Sequence, residues 1–388
     1  MASRLPSNPS IEHLRGEARR LQRANHTALH AAQLAVARKY GFSSWPRLVH
    51  YLRDAASLGV DPSALDEQAL STADRFCSWA SLRYNETDAP PRREAAADLL
   101  KAEPNLVDTH VWAAASAADP EAVTRHLSGR PELVNTGGGP FGWVPLMYLC
   151  YSRVPSVRNA EDVLATATLL LDAGADPNAG YLWCGLSTPF TVLTGVFGEG
   201  EQGPRRQPRH PFSADLATLL LTRGAHPVDQ QTLYNRMFRA DDSHLELLFA
   251  HGLADAGPSP WEARLGEAME TRAQMWRRQV EWAAGHGFTH RLELLARHGI
   301  DVSGVEVVLP AFPEDPDALD EQGATALHQA AWSGDVELIR RLLDAGADAT
   351  ITDRRFGSTP LDWAEHAYQS EAAEVLRGAL SAPSDHDG

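Results

Sequence analysis

At 388 residues the chain is too long for one ordinary globular core, so two or three domains or one elongated array are expected. It is 43% hydrophobic and 22% charged, and no stretch approaches the ~18 to 20 uninterrupted apolar residues of a membrane helix. The formal net charge of −16 is unevenly spread: residues 1–53 hold nine Lys or Arg against two Glu, which leaves a strongly acidic remainder that disfavours nucleic acid as a partner.

The first residues carry no apolar run of the kind that marks a secretory signal. Cys77, Cys150 and Cys184 are an odd number without C-x-x-C spacing, which fits reduced thiols. A cytoplasmic location, without a membrane partner, is the resulting expectation.

Taken in chain order, Pro9-Ser10 opens a first helix with Ile11, Leu14, Ala18 and Leu21 on one face. Thr27 to Tyr40 forms a second helix stopped by Gly41, and Ser44-Trp45-Pro46 starts a third that runs through Leu52. Arg15, Arg19, Arg20 and Arg23 fall along the first helix, as in a phosphate-binding stripe or an ordinary solvated face. A linker from Asp54 to Leu65 separates this basic helical module, residues 1–53, from the rest of the chain. The module is expected to cap the first helical unit beyond the linker, burying Phe42 and Trp45.

Beyond the linker one helix ending recurs. It is faint near Leu100 and Leu127, then plain in Leu169-Leu170-Leu171-Asp172-Ala173-Gly174-Ala175-Asp176 and Leu219-Leu220-Leu221-Thr222-Arg223-Gly224-Ala225-His226. It returns in Leu247-Leu248-Phe249-Ala250-His251-Gly252 and in Leu294-Leu295-Ala296-Arg297-His298-Gly299. The fullest copy is Gly323-Ala324-Thr325-Ala326-Leu327-His328, continuing through Gly334 and Val336, Ile339, Leu342 and Leu343 to Gly346. Its inner-helix opening returns at Gly357-Ser358-Thr359-Pro360-Leu361. Thr325 and Thr359 suit helix N-caps, Gly334 ends the inner helix, and Gly346 supplies a left-handed stop to the outer one.

These residues closely resemble the ankyrin repeat, and His328 occupies the family's T-x-L-H position. The resemblance implies an all-α ankyrin-repeat solenoid with short β-hairpins. About eight units would cover residues 65–380, irregular in 137–300 and regular in 320–380, with residues 381–388 a mobile tail. The segment Tyr40-Gly41-Phe42-Ser43-Ser44-Trp45-Pro46-Arg47-Leu48 looks like one found ahead of ankyrin arrays in bacterial proteins. The ankyrin resemblance also implies a structural role for His328, bracing the turn between repeats.

The irregular spacing requires insertions between inner and outer helices, at Tyr151 to Asp162, Glu199 to Phe212 and Arg239 to Ser243. Further linkers are expected at Ala254 to Pro260 and Leu309 to Pro316. Unusual residues collect in 137–242. Phe141, Trp143, Tyr148, Tyr151, Tyr181 and Trp183 are either plugs for enlarged repeats or anchors for a partner. Glu199 and Glu201 beside Arg205, Arg206, Arg209 and His210 form either an acid–base pair or a solvated loop of mixed charge. Candidate binding residues are therefore Tyr151, Arg153, Tyr181, Trp183, Glu199, Glu201, Arg206, His210, Tyr234, Asn235 and Arg236, with the three insertions expected to lie side by side.

No catalytic residue, cofactor or metal site is assigned. G-x-S-x-G, Walker and G-x-G-x-x-G sequences are missing, and Gly137-Gly138-Gly139 leads into Pro140 as a repeat hairpin would. His286 and His290, like His26 and His30, are four apart but lack the Glu of an H-E-x-x-H site. The expected function is an intracellular interaction module binding a protein or peptide. The alternatives are an enzyme or small-molecule binder built on residues 137–242 and a nucleic-acid-associated regulator acting through the basic module.

Overall fold

The computed structural model describes residue 5 and residues 10–154, 159–308, 312–367 and 369–381. Helices take 58% of the described residues and strands 4%, far below the ~20 to 25% strand of an average globular protein, so the all-helical expectation holds.

Three helices come first: α1 (Ile11–Asn25), α2 (Leu29–Lys39) and α3 (Trp45–Leu58). Ser10 caps α1 by accepting from His13 N, and Ser44 caps α3, whose second residue is Pro46. The boundary expected at residue 53 moves outward, because α3 continues to Leu58 and leads into strand β1 (Gly59–Val60).

The next helices form antiparallel pairs: α4 (Thr72–Ala80) with α5 (Pro90–Ala102), α6 (Val111–Ser116) with α7 (Pro120–Gly129), and α8 (Pro145–Tyr151) with α9 (Ala160–Asp172). The hairpin β2 (Gly180–Trp183) and β3 (Pro189–Thr191) precedes α10 (Val192–Phe197), the short α11 (Gly203–Arg206) and α12 (Ser213–Thr222). Then come α13 (Gln230–Arg236), α14 (Ser243–Ala250), α15 (Pro260–Leu265), α16 (Arg272–Gly285) and α17 (Thr289–Arg297). The chain closes with α18 (Ala326–Ser333), α19 (Val336–Asp344), α20 (Pro360–His366) and α21 (Ser370–Ser381). The last helix thus includes Ser381, expected in the tail; residues 382–388 lie outside the described residues.

Inner helices α4, α6, α8, α10, α13 and α16 touch one another in succession, as do the outer helices α7, α9 and α12. Alanines at 113, 114 and 115 are fully buried and let α6 approach its neighbours closely. One apolar core runs from Ala73 to Leu295. The two C-terminal pairs keep a separate core around Leu327, Ile339, Leu342 and Leu376.

In that C-terminal block, Thr325 and Thr359 cap their helices, and Gly334 ends α18 with φ 73°. His328 braces the turn between pairs: Nδ1 meets Thr325 Oγ1 at 2.7 Å and Nε2 meets the Ser358 carbonyl at 3.0 Å. Gly138 pairs with Trp143 across a hairpin, so the Gly137–Gly139 stretch is a turn.

The basic module does not cap the first helix pair. Its core packs Leu14, Phe42, Leu48 and Leu52 against Leu182 of β2 and against Trp261, Leu265 and Met269 around α15. Strand β1 pairs in parallel with β2, and Tyr51 donates its hydroxyl proton to the Gly185 carbonyl at 3.0 Å. Phe42 is buried, whereas Trp45 is only half-buried. The module buries its apolar face against Leu182, Trp261, Leu265 and Met269, which supply the hydrophobic partners.

Candidate interaction surface

Described residues of the three inserted loops touch one another, Arg153 reaching Pro208 and Arg209 reaching Asp241, and several of their charged side chains are buried. Arg153, just past α8, donates to the carbonyls of Cys150 (3.0 Å), Ser152 (2.8 Å), Pro208 (2.8 Å) and Gly195. It thereby satisfies carbonyls near the C-terminal ends of α8 and α10, which have no helical partner. Burial outweighs neighbouring groups and lowers its pKa to about 10.

Glu199 sits at φ 58° in the loop after α10. Its carboxylate accepts from Arg209 Nε at 3.0 Å and from Arg236 on α13, and both guanidiniums also reach Asp241. Burial works to raise the Asp241 carboxyl, yet Arg236 and Arg209 hold it well below the usual range. Alongside, the fully buried Arg291 donates to Asp242 at 2.5 Å and to the Met237 carbonyl at 2.8 Å. Glu199 and Asp241 are therefore pinned between guanidiniums and tie helix ends together.

The remaining candidates divide by exposure. Tyr151 and Tyr181 are buried plugs: the Tyr151 hydroxyl donates to the Thr191 carbonyl at 3.0 Å, and its ring lies 4.9 Å from Trp143. Gly195 makes room for that ring, since a Cβ there would stand 2.3 Å from it. His210 is buried and kept well below its ordinary pKa by desolvation and by Arg153. Asn235, also buried, accepts from Gln231 Nε2 at 2.8 Å. Only four of the named residues reach solvent. Trp183 donates to the Arg83 carbonyl at 2.9 Å, Arg206 to the Glu86 carbonyl at 2.7 Å, and Glu201 accepts from Tyr234 at 2.6 Å. The paired histidines are engaged separately: His286 Nδ1 meets the Trp282 carbonyl at 2.8 Å and His290 Nδ1 meets Asp242 at 3.0 Å.

From Tyr234 a row of half-exposed rings runs across the inner helices. Tyr234 and Phe238, four residues apart, meet edge to face at 5.2 Å, and Phe238 meets Trp282 of α16 edge to face at 5.0 Å. His286 stacks on Trp282 at 4.1 Å. Next to Phe238, Arg239 lies over the Trp332 ring of α18 at 5.4 Å, and Trp332 lies 6.0 Å from Trp363 and 6.1 Å from His366, both on α20. Edge-to-face pairs align positive ring edges with negative faces, so the row is held in place while one side of it stays wet. Aromatic residues and arginine in this setting are the residue types that dominate protein interfaces.

Of this row, the sequence pattern singles out Tyr234 alone as a binding residue, and His286 only for its spacing from His290. Phe238, Trp282, His286, Trp332, Trp363 and His366 are legible as aromatic residues spaced along inner helices where alanine is usual, but only the stacking order joins them.

Residues 309–364 match the family model for ankyrin repeats (many copies). A stretch of 91 residues, 22% of the chain, is 37% identical to part of diacylglycerol kinase zeta of Rattus norvegicus, and the match spans 10% of that protein's length. The block around α18, α19 and α20 is thus shown to carry ankyrin repeats, by its family match and by its capped, His-braced geometry alike.

Proposed function

We propose that the chain is a protein-interaction module, an ankyrin-type solenoid of about eight units that docks a protein or peptide on the exposed side of its inner helices. The observation that carries this reading is the continuous row of half-exposed rings from Tyr234 to Trp363, bridged by Arg239. Of the candidate binding residues, Tyr234 and Glu201 border this row and contact the partner directly. Arg153, Glu199 and Arg236 position the loops beneath it. Residues 1–58 form a separate module braced against β2 and α15. The three thiols are free, and Cys77 and Cys150 are buried, in keeping with an intracellular setting.

The test is selection from a random-peptide display library on the intact protein, with a Trp332→Ala/Trp363→Ala double variant as counter-target. Peptides retained by the intact protein and released by the variant support the reading. Peptides that bind both equally place recognition elsewhere.

A further inference from the structure

The charges around the aromatic row are unequal in their freedom. Two of its carboxylates are paired, Glu270 with Arg278 at 2.9 Å and Glu365 with Arg377 at 2.9 Å, while Glu201 accepts from the Tyr234 hydroxyl. Arg278 and Arg377 are spent in those pairs, but three other guanidiniums are not. Arg205, Arg354 and Arg355 are exposed and have no carboxylate partner among the described residues. Arg355 lies over the ring of Phe356, which at 66% exposure is the most exposed large apolar side chain among the described residues. That hairpin tip is fixed beside the row because Asp353 accepts from the Trp363 indole N–H at 3.0 Å. At the other side, the charge of Arg205 is felt by His366, whose pKa is lowered by burial and by that guanidinium.

A chain of net charge −16 therefore presents, around its row of rings, three exposed guanidiniums with no carboxylate partner among the described residues. We propose that this surface takes a short acidic peptide segment with apolar anchors, the anchors lying on the rings and the carboxylates on Arg354, Arg355 and Arg205. This deepens the interaction reading above and rests on it. A short segment responds to charges within a Debye length, ~8 Å at physiological salt, and so to these three guanidiniums. Nucleic acid also stacks on aromatic rings, but its long uniform charge extends beyond that distance and meets the acidic body.

The experiment uses the intact protein and three pools of synthetic peptides with randomised apolar positions, carrying Asp, Asn or Lys at fixed polar positions. Fluorescence anisotropy is expected to show the Asp pool binding at least about tenfold tighter than the Asn pool, with the gap closing as salt rises. Arg354→Glu/Arg355→Glu, on an exposed hairpin, is expected to abolish the preference for the Asp pool over the Asn pool. Equal binding of all three pools, lost on Trp363→Ala, would overturn the acidic-peptide inference and leave the interaction reading standing. Tighter binding of oligodeoxythymidine than of the Asp pool would overturn it in favour of nucleic acid. Failure of every pool to bind would overturn the peptide class itself.

Discussion

Arg239 joins two otherwise separate cores through Trp332: its guanidinium carbon lies 5.4 Å from the indole centroid, and Nη1 donates to the Trp332 carbonyl at 3.1 Å. Close by, the Ala240 amide donates to the Ser333 carbonyl at 3.2 Å. Arg239→Ala removes a cation–π contact and a charge-assisted hydrogen bond, together about 1–3 kcal/mol of docking free energy. Hydrogen exchange should then rise first in residues 326–344, ahead of α8 and α10. Uniform exchange across the chain would show that the two cores are coupled by other contacts.

Removing one partner of the buried Glu199–Arg236 pair leaves an uncompensated charge in the interior. Both residues are at most 2% exposed, so Arg236→Ala should cost about 3–5 kcal/mol. Glu201→Ala, two residues along and exposed, should stay within about 0.5 kcal/mol. Urea denaturation midpoints measure both. A loop of solvated charges would give two small, similar values.

Stability should fall as pH drops below neutrality. His244 is fully buried between Arg236 and Arg291, with no hydrogen-bond partner on either ring nitrogen among the described residues, and burial then those cations hold its pKa well below 6.5. His210 is depressed in the same direction. The unfolded chain takes up these protons first as pH falls through about 6.5, while the folded chain stays neutral at both sites. Stability is therefore lost on the acid side, by up to about 1.4 kcal/mol per pH unit for each histidine. Denaturation midpoints between pH 7 and pH 5 should fall, and His244→Gln should flatten the slope. A midpoint that rises on acidification would mean that these rings are protonated in the folded state.

Local chemistry explains which parts were legible beforehand. Thr325, Thr359, Gly334 and Gly346 act through their own turn of chain, so sequence spacing located them. Arg153, Glu199 and Arg236 carry charge, and charge in a loop reads as solvated. Their burial depends on three loops from different helix pairs closing over them, which no single segment encodes. The docking of the basic module on Leu182 and Trp261 was hidden for the same reason. Those residues are far from α1 in sequence and look like ordinary core positions.

Two glycines should respond differently to a side chain. Gly346 ends α19 at φ 89° with nothing within 4 Å of an added Cβ, so Gly346→Val meets backbone strain alone, on the order of 1–2 kcal/mol. At Gly138 a Cβ would stand 2.1 Å from the Trp112 ring, so Gly138→Ala must displace that ring, at about 1–3 kcal/mol. Near-ultraviolet circular dichroism separates them: a changed tryptophan signal is expected for Gly138→Ala and an unchanged one for Gly346→Val.

The basic module should loosen when its contacts with α15 are cut. Trp261 is 8% exposed and donates to the Asn178 carbonyl at 2.9 Å, while the Ser43 amide donates to Glu267 at 2.7 Å. Trp261→Ala/Glu267→Ala should open the segment between Val60 and Thr72 to limited proteolysis and release residues 1–60. Protease resistance equal to that of the intact chain would show that β1 pairing with β2 suffices alone.

The claim that the inner-helix rings form the docking surface is tested most directly by hydrogen–deuterium exchange of the intact protein with and without a display-selected peptide. Protection is predicted in the segments containing Tyr234 to Arg239, Trp282 to His286, Trp332 and Trp363 to His366. Protection confined to the outer helices α9, α12 and α14, or to residues 11–58, would contradict it.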